Sequence, residues 1–253
     1  MSRLRIAAAA VAVAMLAGSQ RASAESVSLQ FEKSVNGGVN LSGVPGGAIV
    51  QPGPFYWQDS GLPPNTNFPP PTSTFCIEVS GPLPAIGSSA IFGVESLAAD
   101  LGTAKANAIT ELYGRFFNTA WENSSFTGSA TSIAFQLALW ELAIDGKASA
   151  GNTNDLSNGS FTASTAIGPV QVQAQSMLNS LTGDTSSFNT RFPNQQLAAL
   201  IAPDPNDPKP QDFQNQVTLI PKAAVPAPPG VVLASIGFLG LIGRGRWLRR
   251  KQG

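Results

Sequence analysis

Histidine is absent from this 253-residue chain, cysteine occurs once, as Cys76, and tyrosine only twice. Without histidine neither a Ser-His-Asp nor a Cys-His nucleophile can be assembled, and no imidazole is available to a metal. One cysteine cannot close a disulfide within the chain. Charge is also scarce, with Asp, Glu, Lys and Arg at 12% of residues. Fifteen basic and fifteen acidic residues cancel over the whole chain, but they are unevenly placed. Arg3, Arg5 and Arg21 lie near the start, and Arg244, Arg246, Arg249, Arg250 and Lys251 near the end. The body between them keeps seven basic residues against all fifteen acidic ones, a net charge of −8. An acidic body without a basic patch argues against nucleic acid as a partner, and against adhesion to anionic lipid. No cofactor is expected.

The two ends carry the long apolar runs. Arg3 and Arg5 precede an apolar segment from Ile6 to Ala17, and Ala22-Ser23-Ala24 supplies small residues before Glu25. A basic start, an apolar middle and an A-x-A-like site make residues 1–24 a signal peptide, so the chain is expected to be exported. At the other end, Val225-Pro226-Ala227-Pro228-Pro229-Gly230 leads into an apolar run from Val231 to Gly243 and then the basic cluster. Proline and glycine end the folded body, the apolar run can enter a bilayer, and arginine resists translocation. At 13 residues that run is shorter than the roughly 18 to 20 that span a bilayer comfortably, although Trp247 and Leu248 extend it. The tail over 223–253, with its membrane segment at 231–243, resembles the PEP-CTERM sorting signal of Gram-negative bacteria. That resemblance implies an exosortase-type membrane protease as partner, tethering at the inner membrane, and then release to the cell envelope or extracellular matrix. Ala227 stands where the common motif has glutamate. A simple tail anchor is the plainer reading of the same segment.

About 200 residues remain between the ends, enough for one domain or two small ones. Ser26–Glu32 alternates, with Val27, Leu29 and Phe31 on one face and Ser28 and Gln30 on the other, predicting a half-buried strand. From Pro45 to Pro71 there are eight prolines, among them Phe55, Tyr56, Trp57 and Phe68. That density predicts a long surface loop, tacked onto the core by its aromatics, with no central strand. Ser73–Val79 reads as a second strand, Phe75, Ile77 and Val79 facing one way and Thr74, Cys76 and Glu78 the other. Helical spacing predicts helices over Asn107–Trp121 and Ser129–Asp145, the second apolar nearly all round and therefore buried. Another helix begins at Pro169 and ends by Gly183. Asn194–Ile201 reads as a short last helix and Gln216–Ile220 as a closing strand. The class is α+β.

Gln136 lies at the edge of the Ile133, Trp140 and Ile144 stripe of the buried helix, where a carboxamide must find hydrogen bonds. Cys76 lies in an apolar strand, on the face away from Phe75 and Ile77. If the buried helix covers that face, thiol and carboxamide meet. Phe75-Cys76-Ile77-Glu78, followed by Phe135-Gln136-Leu137-Ala138-Leu139-Trp140, resembles the paired motifs of bacterial surface thioester domains. The resemblance covers short segments within residues 73–145 and, by length, a body at 25–222. It implies an antiparallel β-sheet or barrel core carrying a helical insertion. It also implies that the Cys76 sulfur attacks the side-chain carbonyl of Gln136, releasing ammonia and leaving an internal thioester. Such a bond is an activated acyl group, open to an amine or hydroxyl on a surface or matrix target. Phe75 and Trp140 would shield it from water, with Glu78 supporting. Family members often have a small polar residue before the glutamine, where this chain has Phe135.

Three readings of function stay open. The first is a covalent-capable adhesin of the envelope or matrix, built on Cys76 and Gln136. The second is a non-reactive structural or exopolysaccharide-associated surface protein of the same fold, in which a buried cysteine packs as a small hydrophobe. The third is a secreted glycoside hydrolase, because Glu78, Glu141 and Asp145 are carboxylates near the suspected site and two suffice for that reaction. Glu141 and Asp145 stand at i, i+4, where a solvated helix edge is the simpler reading.

Overall fold

The computed structural model describes residues 25–35, 52–60, 73–79, 82, 85–146, 155–163, 168–202 and 213–222. All but the last two belong to a unit spanning Met1–Ile220; a second unit, Pro221–Gly253, lies otherwise outside the described residues. The expected signal peptide at 1–24 and the sorting tail at 223–253, with Val225, Pro226, Ala227 and Pro228, also lie outside them. Among the described residues no helix is long and apolar enough to cross a membrane.

Six strands close on themselves: β1 (Glu25–Ser34), β2 (Phe55–Asp59), β3 (Ser73–Cys76), β4 (Ser89–Ser96), β5 (Gln195–Ile201) and β6 (Gln216–Pro221). Their order is β1-β2-β3-β6-β5-β4, with β4 returning to β1, and the registered pairings are antiparallel. Closure leaves no strand edge open among these six. Among the described residues five helices fall between β4 and β5: α1 (Leu97–Leu101), α2 (Thr103–Phe116), α3 (Ala130–Ile144), α4 (Gly168–Ser180) and α5 (Ser186–Arg191). A 3-10 turn, Thr119–Glu122, follows α2. The fold is therefore α+β, an antiparallel barrel with its helices grouped in one inserted stretch.

Local sequence explains most of these elements. In β1 the alternation places Val27, Leu29 and Phe31 in the core. The other face is not open to water as its polarity predicts: Ser26 and Ser28 are buried too, and the Ser28 hydroxyl lies 2.6 Å from that of Ser60. The proline-rich stretch departs further from expectation. Between Pro54 and Pro63 the chain has no proline; the five residues of β2 pair with β1, and Phe55 and Tyr56 pair also with β3. A strand needs free N–H groups only along its own length, so prolines on either side bound it without forbidding it. Phe55, Tyr56 and Trp57 are consequently barrel residues, all buried.

The segment expected as a last helix is instead β5, pairing with β4 from Gly93 opposite Ile201 to Ser96 opposite Ala198. Its run Leu197-Ala198-Ala199-Leu200 favours helix by propensity, but all four residues are buried and the open side of β4 captures them. Pairing and burial outweigh a preference of a few tenths of a kcal/mol per residue. The second predicted strand is shorter than expected, ending at Cys76 rather than Val79. The helix predicted over Asn107–Trp121 is α2 followed by the 3-10 turn.

α3 forms where its pattern predicts. Ser129 caps it in a reciprocal box with Ser132, and Asp145 closes it. It packs against α2, α4 and β3, and every residue from Ser132 to Ala143 is buried. A cluster of rings joins barrel to helices: Phe75 of β3 meets Tyr113, Phe117, Trp121 and Phe135, with centroids 5.0 to 6.4 Å apart. Full burial of each such ring contributes about 1.5–3 kcal/mol, which fixes α3 against the end of β3.

Candidate functional site

β3 and α3 bring Cys76 and Gln136 together across 60 residues of sequence. Both are fully buried. The Cys76 N–H donates to Gln136 Oε1 at 3.2 Å, and Gln136 Nε2 donates to the Cys76 carbonyl at 2.7 Å. The carboxamide thus pairs with the cysteine's main chain as a neighbouring strand would. An N–H aimed at the amide oxygen also withdraws charge from the amide carbon, which is what an attack there requires.

The sulfur itself has other partners. Cys76 Sγ donates to Gln214 Oε1 at 2.9 Å and accepts from Gln216 Nε2 at 3.4 Å. Gln216 in turn donates to the Gln214 carbonyl at 3.2 Å and, through Oε1, accepts from the Thr74 hydroxyl at 2.6 Å. Trp57 Nε1 donates to that hydroxyl at 2.9 Å. Burial pushes the Cys76 thiol well above its ordinary pKa; the hydrogen bond from Gln216 opposes this and the charge of Glu78 adds to it. A thiol held so strongly in its neutral form is inert towards outside reagents, so any chemistry it performs depends on its immediate neighbours.

Phe75 and Trp140, the residues named for shielding, are both buried near the chain segments that carry the pair. Phe75 lies within the ring cluster, and Trp140, also buried, donates its indole N–H to the Glu78 carbonyl at 3.0 Å. Glu78 anchors the approach to β6: its carboxylate accepts from the Asn215 N–H at 3.2 Å and from Asn215 Nδ2 at 2.9 Å. That tie sets Gln214 and Gln216, either side of Asn215, against the sulfur.

The remaining carboxylates have separate surroundings. Asp145 accepts from the N–H groups of Ser160 and Phe161 at 3.0 and 2.8 Å, holding the chain after α3 in place. Glu141 is not on a solvated edge; it is 2% exposed, and among the described residues its Oε2 has no hydrogen-bond partner. Burial and the charges of Asp145 and Asp155 push its pKa up to about 7, against the Asp155 backbone hydrogen bond that lowers it. Its side chain is buried because α3 is covered all round, a feature helical spacing of two acids does not reveal. Among the described residues no group of three or more Cys, Asp or Glu side chains is arranged to hold a metal ion.

Sequence reading singled out Cys76, Gln136, Phe75, Glu78 and Trp140, and missed Gln214, Gln216, Thr74 and Trp57. A signal existed for the two glutamines: Gln214 and Gln216 are two apart at the head of a predicted strand, so they share one face. Nothing local linked that face to Cys76, because the pairing of β3 with β6 spans 140 residues. Comparison with protein families, with characterised proteins and with solved structures finds no match to this chain.

Proposed function

We propose that this chain is an exported surface or matrix protein whose barrel carries an internal thioester between Cys76 and Gln136, able to couple covalently to an amine or hydroxyl on a target. The observation that carries the reading is the double hydrogen bond between the Gln136 carboxamide and the Cys76 main chain. In the reaction, the sulfur bonds to the side-chain carbonyl carbon of Gln136 and the carbon–nitrogen bond breaks. The thiol proton leaves on the nitrogen as ammonia. The Cys76 N–H remains on the carbonyl oxygen throughout and stabilises the charge that develops there. Burial beneath Phe75 and Trp140 keeps water from the product.

Export, sorting by an exosortase-type protease and tethering at the inner membrane belong to the same proposal. They rest on the basic and apolar pattern of residues 1–24 and on the Val225-Pro226-Ala227-Pro228 turn with its apolar and basic tail. The acidic body suits a target other than nucleic acid.

A second reading is favoured by one specific observation: the thiol proton points to Gln214, and both polar ends of Gln136 already have main-chain partners. A packed, non-reactive glutamine would look the same, and the protein would then be a structural component of the surface. Intact mass of the mature body separates the two. A thioester gives a mass short by one ammonia and a methylamine adduct on Gln136. A packed pair gives the full mass, and a thiol that alkylating reagents reach only after unfolding.

A further inference from the structure

Around the sulfur, the directions of the hydrogen bonds are set by two groups, the Gln214 carbonyl and the Trp57 indole. The Gln214 carbonyl only accepts, so the Gln216 atom 3.2 Å from it is the amide nitrogen; Oε1 then accepts the Thr74 hydroxyl hydrogen, while that hydroxyl accepts from the Trp57 indole. The Gln216 amide is thereby oriented with its oxygen towards Thr74 and its nitrogen towards Cys76. An amide whose two ends are otherwise interchangeable is fixed in one of its two orientations. The sulfur therefore receives an N–H, and its own hydrogen goes to Gln214 Oε1. All members of this chain are buried, so water does not compete for these bonds.

We propose that Gln216 is the group that stabilises negative charge on the Cys76 sulfur, and that Trp57 and Thr74 are positioning residues that turn its N–H onto that atom. This deepens the thioester reading and rests on it for the reaction served. As the sulfur gives up its proton and bonds to the Gln136 carbon, the Gln216 N–H steadies the developing thiolate. When an incoming amine attacks the thioester, the sulfur–carbon bond breaks and the sulfur departs towards the same N–H. It then regains a proton from the attacking nitrogen. Gln214 accepts the thiol hydrogen in the resting form and takes no proton itself. Glu78, whose charge bears on the sulfur, acts against the thiolate, so the Gln216 donor counters both burial and that charge.

The test uses the full-length chain after exhaustive treatment with methylamine, which leaves Cys76 as a free thiol whether or not a thioester had formed. Thiolate absorbance is followed against pH, with a Cys76→Ala chain subtracted to remove the two tyrosines. Gln216→Leu is expected to raise the titration midpoint by about one pH unit, as loss of a hydrogen bond to a charged group does. Thr74→Val, which removes the donor that holds Gln216 Oε1 and leaves the Gln214 carbonyl as the amide's remaining anchor, raises it in the same direction, and Thr74→Ser restores the wild-type midpoint. Methylamine opening of the untreated chain is expected to slow about tenfold in Gln216→Leu. A midpoint that stays in place in Gln216→Leu overturns the proposal; if that variant does not fold, an unmoved midpoint in Thr74→Val does so. A wild-type chain of full mass before treatment sinks the thioester reading instead, while the midpoints still decide whether Gln216 acts on the sulfur.

Discussion

Gln136 clasps Cys76 by its main chain, accepting from the N–H at 3.2 Å and donating to the carbonyl at 2.7 Å, so one helix side chain completes the hydrogen bonding of a strand end. Thioester formation would expel the nitrogen and keep only the bond from the Cys76 N–H, so the two possible roles of Gln136 are separable by experiment.

Gln136→Ala is expected to leave the Cys76 N–H and carbonyl buried without partners and to open a small void beside Phe75. The cost is about 2–4 kcal/mol of unfolding free energy, read from chemical denaturation. Methylamine incorporation is lost in the same variant. A chain that retains wild-type stability would show that the clasp contributes little.

Glu111 presents a second buried anchor. Fully buried in α2, its carboxylate accepts from the Thr182 N–H and hydroxyl and from the Gly183 N–H, the last at 2.6 Å, and pairs with Arg115 at 3.3 Å. It ties the end of α4 to the middle of α2. Glu111→Ala is expected to cost about 1.5–3 kcal/mol, because the hydrogen bonds that tie Thr182 and Gly183 to a buried charged group are lost, while those two exposed residues can turn to water. Arg115→Ala, which removes a partly exposed member, should cost under about 1 kcal/mol by the same denaturation measurement.

Gly114 allows α5 to approach α2. A Cβ there would collide with the Phe188 backbone nitrogen, and would stand 2.5 Å from Ser187 Oγ and 2.7 Å from Phe188 Cα. Gly114→Ala is expected to destabilise the chain by about 1–3 kcal/mol, with backbone in the way rather than a movable side chain. Hydrogen exchange should report the loss first in α5, Ser186–Arg191.

Glu141 gives the fold a pH dependence of defined sign. Its folded pKa is raised from 4.5 to about 7, chiefly by burial. Between those values the folded chain binds more protons than the unfolded one, so stability falls as pH rises through the window and the cost is complete above about 7. Glu141→Gln removes that dependence. Denaturation midpoints of wild type and variant should converge at about pH 5 and separate at about pH 8, the variant being the more stable there. Equal separation at both would show that Glu141 does not titrate in this range.

Elements whose signal is local were legible in the sequence. α3 could be placed at both ends because Ser129, Asp145 and an unbroken apolar run all act within one or two turns. β1 and β6 could be placed by alternation, and Cys76 and Gln136 by their flanking residues. β2 was hidden because proline density was averaged over a stretch in which the five strand residues hold none. β5 was hidden because a Leu- and Ala-rich run is ambivalent until β4 offers it a ladder.

The amino-acid order by itself determined which chemistry is available: one thiol, no imidazole, an acidic body, and a glutamine set in a helix too apolar to solvate it. Tertiary structure alone decided what surrounds the thiol. Closing the barrel pairs β3 with β6, and only that contact sets Gln214 and Gln216 on the sulfur and links them through Thr74 to Trp57. Hydrogen bonds reach about 3 Å, whereas sequence patterns report periodicity along one element, so partners contributed by a strand far along the chain leave no mark in either segment alone.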